Sequence, residues 1–179
     1  MAHRLFVAIR LPDQVRERLL DAMEGLEGAR WLDEEHLHLT LRFVGELETP
    51  QANELADALR PIDSPGFELE VAGFGHFERK GRPYALWARV PLVPGLEQLR
   101  QKVEHACAAI GLPRETRRFL PHVTLARLNA GTGPVGGWLA VHGALRAGPW
   151  HVRAMSLYKS HLGQSGASYE EVTRYPFGN

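Results

Sequence analysis

Three observations predict an α+β protein with mostly antiparallel pairing, folded as two lobes around a shared cleft. The tetrapeptide His-x-Thr-x occurs once in each half of the chain, as His38-Leu39-Thr40-Leu41 and His122-Val123-Thr124-Leu125. Each copy follows a stretch of helical periodicity, so helix then motif strand repeats along the chain. The element order (strand, helix, strand, helix, hairpin, helix, strand, hairpin) lacks the regular alternation of a doubly wound parallel sheet. Two lobes related by a pseudo-two-fold, with the motifs meeting at their interface, follow from that echo. At 179 residues the chain is expected to form one bilobal domain, residues 1–179.

The elements are justified in order. Leu5-Phe6-Val7-Ala8-Ile9 gives a first strand at residues 4–10. Leu11-Pro12-Asp13 opens a helix whose Val15, Leu19, Met23 and Leu26 recur at helical spacing up to Gly28. Residues 31–45 contain the first motif strand. Thr49-Pro50 offers a cap and a proline for a helix burying Leu55 and Leu59. Phe67, Leu69 and Val71 alternate with Glu68 and Glu70, and pair as a hairpin with residues 84–90 across Arg79-Lys80-Gly81-Arg82. Pro94-Gly95 starts a third helix, with Leu96, Leu99, Val103, Ala106 and Ile110 on one stripe and Gly111 as terminator. The second motif strand comes next, then a glycine-rich loop at 129–137. Strands at 152–160 and 168–175, joined by a turn at 163–166, close the chain.

Composition narrows the function classes. Hydrophobic residues make up 44% and charged residues 23%, an ordinary globular balance. No apolar run approaches the ~18 residues of a membrane span, and the N-terminal apolar stretch is too short for a signal peptide. The single cysteine, Cys107, excludes an intrachain disulfide and a Cys-rich metal site, and a cytoplasmic location is the simplest expectation. Lys+Arg and Asp+Glu balance at 21 each, so no global field draws in long nucleic acid. Local basic clusters occur at Arg79-Lys80-Gly81-Arg82 and at Arg114 with Arg117-Arg118. The segment Arg117-Arg118-Phe119-Leu120-Pro121, just before the second motif, is expected at the mouth of the cleft.

Alternate side chains of a strand share a face, so each motif points a histidine and a threonine one way and two aliphatics the other. Two imidazoles facing each other across a phosphate suit a phosphodiester reaction, one taking a proton and one giving it. Their unperturbed pKa of ~6.5 fits both tasks near neutrality. The hydroxyls of Thr40 and Thr124 are placed to donate to non-bridging phosphate oxygens. A strained 2′,3′-cyclic phosphate needs no further Lewis acid, and no metal is expected. His36 shares the face of His38 and makes a His-x-His pair, but no third ligand stands at motif spacing. His36 is therefore placed at the strand entrance. A glycine-rich phosphate loop is absent.

These residues and their flanks carry a resemblance. Arg4–Ile9 with Leu11-Pro12, Trp31, His38–Phe43 with Gly45, Phe119, Pro121, His122–Arg127, Leu157, Ser160, Gly166 and Tyr169 resemble the 2H phosphoesterase superfamily. Within it, the chain is most similar to the bacterial and archaeal RNA 2′,3′-cyclic phosphodiesterases, also known as 2′-5′ RNA ligases. The likeness runs from residue 4 to about residue 176. It implies a bilobal α+β fold of two mostly antiparallel sheets with flanking helices and a central cleft. It implies hydrolysis of RNA ends bearing a 2′,3′-cyclic phosphate to 2′-phosphomonoesters. No cofactor is expected, and a monomer is the default, since nothing in the sequence reads as a coiled coil or a dimer stripe. Carried over, His38 is the proton donor, His122 the proton acceptor, and Thr40 and Thr124 hold the phosphate. Arg127 is a further phosphate contact, and Phe43 or Phe77 would stack a base. Core packing is the competing reading for both phenylalanines. Rival functions are 2′-5′ ligation as the main activity, another small cyclic or 2′-5′ nucleotide as substrate, and a catalytically idle binding module. Intact motifs and a neutral net charge weigh against the last.

Overall fold

The computed structural model describes residues 1–164 and 166–178; Ser165, in the turn expected at 163–166, and Asn179 lie outside the described residues. The first strand is β1 (Ala2–Arg10), followed by α1 (Asp13–Ala22) and a short β2 (Arg30–Trp31). A single 3₁₀ turn at Glu34–His36 leads into the motif strand β3 (His38–Glu48), then α2 (Thr49–Leu59) and β4 (Phe67–Ala72). β5 (Phe74–Arg79) and β6 (Arg82–Arg89) precede α3 (Pro94–Ala109) and the second motif strand β7 (His122–Arg127). α4 (Val135–His142), β8 (Arg146–Val152), β9 (Ala154–Gly163) and β10 (Gly166–Pro176) complete the chain.

Two four-stranded antiparallel sheets, ordered β10-β9-β1-β3 and β2-β7-β6-β5, are joined by a two-stranded ladder of β4 and β8. The echo read from the motifs extends through the topology. β1-α1-β3-α2-β4 and β6-α3-β7-α4-β8 are matching series, and their last strands pair with each other. The strand after each series then pairs with the first strand of the other: β5 with β6, and β9 with β1.

The alternation of β1 divides the first lobe. Leu5, Val7 and Ile9 enter the main core with Leu39, Leu41, Val123 and Leu125, all buried as the motif pattern requires. Phe6 and Ala8 face the other way, against Tyr158 and Tyr169. Each fully buried leucine contributes ~1.5–3 kcal/mol, so the motif strands are anchored firmly from behind.

Four expectations change. The strand at Phe67–Ala72 pairs with β8, whereas the hairpin is β5-β6; alternation shows which face a strand buries but not which strand it meets. Residues 135–137, expected in a loop, begin α4 despite two glycines, because Val135 and Trp138 are buried there. The Trp138 indole N–H donates to the carbonyls of Ala22 and Glu24, holding that helix to the end of α1. α1 itself stops at Ala22 rather than near Gly28. Glu48 occupies the cap position of α2, and the Thr49 hydroxyl bonds the His3 ring instead. Among the described residues, no helix is long and apolar enough to cross a membrane.

Candidate active site

His38 and His122 are each the first residue of their strand. Each stands opposite an arginine that ends the neighbouring strand, Arg10 for His38 and Arg89 for His122. Both strands then carry the same irregularity. Thr40 pairs with Ala8 and Arg42 with Val7, leaving Leu41 as an extra residue. Thr124 pairs with Trp87 and Ala126 with Leu86, leaving Leu125 as an extra residue. A bulge of this kind reverses the alternation beyond it. The next side chains to reach the cleft are accordingly Phe43 and Arg127, while Arg42 and Ala126 turn inward. A second irregularity, at Gly45 with φ +90°, restores the register of β3.

The cavity so formed holds about 360 Å³. His38, Thr40, His122 and Thr124 all line it, with Arg127 and Phe43 from the two post-bulge positions. The motifs therefore converge as the sequence predicts. Phe77 is not among the lining residues; it packs edge to face on His122 at 5.0 Å between ring centres. Arg114, Arg117 and Arg118 do not line the cleft either, contrary to the expectation for that segment, and border a separate groove. Arg42 is buried, and its guanidinium bonds Glu104 at 2.6 Å and the carbonyl of Pro113. It is a strut between β3 and α3.

Several lining residues were not singled out from sequence as site residues: Arg4, Phe6, Leu32, Leu162 and Ala167. Arg4 and Phe6 share the even-numbered face of β1, so strand alternation was the signal that could have found them. The Arg4 guanidinium lies over the Phe43 ring at 5.3 Å.

The two histidines have unlike surroundings. Tyr158 and Tyr169 pack against His38 at 4.7 and 5.7 Å, and Phe6 stands edge-on behind it. Burial is the main reason its pKa drops to about 4, opposed in part by the carbonyl of His36 and reinforced by the neighbouring His36, Arg10 and Arg16. His122 is backed by Phe77 and Trp87, and burial lowers its pKa too. Its Nδ1–H donates to the carbonyl of Leu120 at 2.7 Å, which partly offsets that effect. That bond leaves Nε2 of the neutral ring as the proton acceptor. Trp87 keeps its place by lying across Gly75, where a Cβ would come within 2.4 Å of the indole.

His36 lines the cavity beside Tyr169, with ring centres 4.5 Å apart. Its Nε2 is 3.6 Å from a Glu35 carboxylate oxygen. Among the described residues, no three His, Cys, Asp or Glu side chains group as a metal site.

The chain and its fold are similar to known proteins. An RNA 2′,3′-cyclic phosphodiesterase from Thermotoga maritima is 34% identical over 131 residues, 70% of this chain and 70% of that one. One of the same name from Aeropyrum pernix is 33% identical over 144 residues, 79% of this chain and 82% of that one. The crystal structure of Escherichia coli LigT complexed with 3′-AMP superposes with a TM-score of 0.81 at 26% identity, covering 100% of both chains. The family model described as LigT-like phosphoesterase matches twice, over residues 9–87 and 90–169. One motif strand falls in each match, as the topological repeat requires, and the chain belongs to the LigT-like phosphoesterase family.

Proposed function

We propose that the protein hydrolyses RNA ends bearing a 2′,3′-cyclic phosphate to 2′-phosphomonoesters, with one histidine as general base and the other as general acid. One observation carries this reading: matching bulged strands bring two His-x-Thr pairs onto the walls of a single cavity of about 360 Å³. The relatives' printed activity supports it. Nε2 of His122, freed by the Nδ1 bond to Leu120, takes a proton from water as its oxygen attacks phosphorus. The bond from phosphorus to the ribose 3′ oxygen breaks in line with that attack. His38 protonates the departing oxygen, and each transfer is worth ~10²–10⁴ in rate. Thr40 and Thr124 donate to the non-bridging oxygens, Arg127 adds a cation, and Phe43 offers a face for a base. Phe77 acts indirectly, by packing behind His122.

Each lobe supplies one histidine, so residues 1–179 work as one unit and a monomer suffices. The buried free thiol of Cys107 fits the reducing cytoplasm. The test is ³¹P NMR of a short oligoribonucleotide 2′,3′-cyclic phosphate, in EDTA, with the native protein, His38→Ala and His122→Ala. The reading expects a 2′-phosphate from the native protein alone; no turnover, or turnover surviving both substitutions, refutes it.

A further inference from the structure

A larger cavity, about 940 Å³, lies apart from the cleft between the outer side of α3 and the segment at residues 114–119. Arg100, Arg114, Arg117 and Arg118 line it together with His105 and Phe119. The balanced charge of the whole chain conceals this concentration. The acidic groups of the groove are already engaged: Glu97 with Arg100, Glu115 with Arg117, and Glu104 with the buried Arg42. Among the described residues, Arg114 and Arg118 form no ion pair. Phe119 is half-buried, with the Arg100 guanidinium over its ring at 5.2 Å. Uncommitted guanidiniums beside an aromatic ring match a strand of phosphates with unstacked bases.

One stretch of chain ties this groove to the cleft. Phe119 borders the groove and His122 the cleft, with at most ~10 Å of chain between them. The carbonyl of Leu120, inside that span, is the one that holds His122 Nδ1. On β3, Phe43 lines the cleft while its neighbour Arg42 reaches the opposite way, to Glu104 in the wall of the groove, so the two depressions lie on opposite sides of that strand. The groove thus comes near the cleft at its His122 end, across residues 119–122.

We propose that the groove binds the single-stranded RNA leading to the cyclic end, making an oligonucleotide a better substrate than a mononucleotide. This rests on the reading of the cleft as a cyclic phosphodiesterase site. The test compares the native protein with the double variant Arg114→Ala/Arg118→Ala, both positions being exposed and outside the cleft. Substrates are a nucleoside 2′,3′-cyclic phosphate and a short oligoribonucleotide with the same end. The variant should lose roughly tenfold or more in kcat/KM on the oligonucleotide across 50 to 200 mM salt, with a salt slope shallower by about 1.4. Its kcat/KM on the mononucleotide should not change. An unchanged ratio between the two substrates overturns the groove as an RNA site.

A second arm measures binding of the 2′-phosphate-ended oligonucleotide by fluorescence anisotropy, which needs no turnover. Weaker, less salt-dependent binding by the variant supports the groove even if neither substrate is cleaved, a result that would count against the cleft reading alone. Equal binding by the two proteins rejects the groove.

Discussion

In the empty cleft His38 is a poor proton carrier, and substrate binding is expected to make it a good one. With its pKa at about 4, roughly one molecule in a thousand carries that proton at pH 7. A phosphodiester anion ~4 Å from the ring, at an effective dielectric of ~20, attracts the imidazolium by ~4 kcal/mol. At 1.36 kcal/mol per unit this raises the pKa by ~3, to about 7. The charge of the substrate thus offsets the burial by Phe6, Tyr158 and Tyr169. The sign follows. Both histidines are lowered in the free protein, so its singly protonated form is lost as pH rises through values below 6.5. Since kcat/KM reports the free protein, it should fall about tenfold per unit above that point. kcat reports the complex and should hold to near pH 7 or beyond. Steady-state profiles between about pH 4 and 9, with NMR titration of the ring with and without a 2′-phosphomonoester, measure both. A kcat/KM flat to pH 7, a free His38 titrating near 6.5, or no upward shift on saturation refutes the reasoning.

Replacing Thr40 or Thr124 by valine removes a hydroxyl from the cavity wall, and kcat should drop ~10²-fold with an unchanged melting temperature; near-native kcat would remove these hydroxyls from the mechanism. Gly75→Ala sets a methyl group against Trp87, costing ~1–3 kcal/mol in a denaturant titration and lowering kcat through His122. Native activity in that variant would show that the indole does not set the ring's position. Arg42→Met leaves Glu104 unpaired and should destabilise the fold by ~3–5 kcal/mol, with most of the loss recovered on adding Glu104→Leu. A double variant no more stable than the single one would contradict this account of the strut.

The chemistry was legible because it sits where local rules hold. His38 and Thr40, or His122 and Thr124, share a face over three residues, and the aliphatics between and after them bury as alternation demands. Beyond the threonines those rules lapse. Arg42 and Arg127 look alike on paper, yet a bulge that no residue type announces sends one into the core side and the other into the cleft. The partner of β4 lies far along the chain in β8, and sequence alternation carries no information on such pairing. β5 begins among Gly73 and Gly75, and Gly75 is there to admit Trp87, a close approach the sequence does not announce. In α4, burial of Trp138 outweighs the poor helix propensity of Gly136 and Gly137. The basic residues 114–118 are close to His122 in sequence but line a different depression.

The closed exchange of strands between the two series means that chain order is chemically arbitrary. A gene rearranged to begin at β6 and to join β10 to β1 through an added linker would meet the His122 motif first and the His38 motif second, with every strand neighbour retained. The pseudo-dyad also places the two histidines at equivalent positions. What distinguishes them is their packing: Phe6, Tyr158 and Tyr169 around His38, Phe77 and Trp87 around His122. On the proposed mechanism the division of labour between the histidines follows from these neighbours, and exchanging them is the route to exchanging the roles.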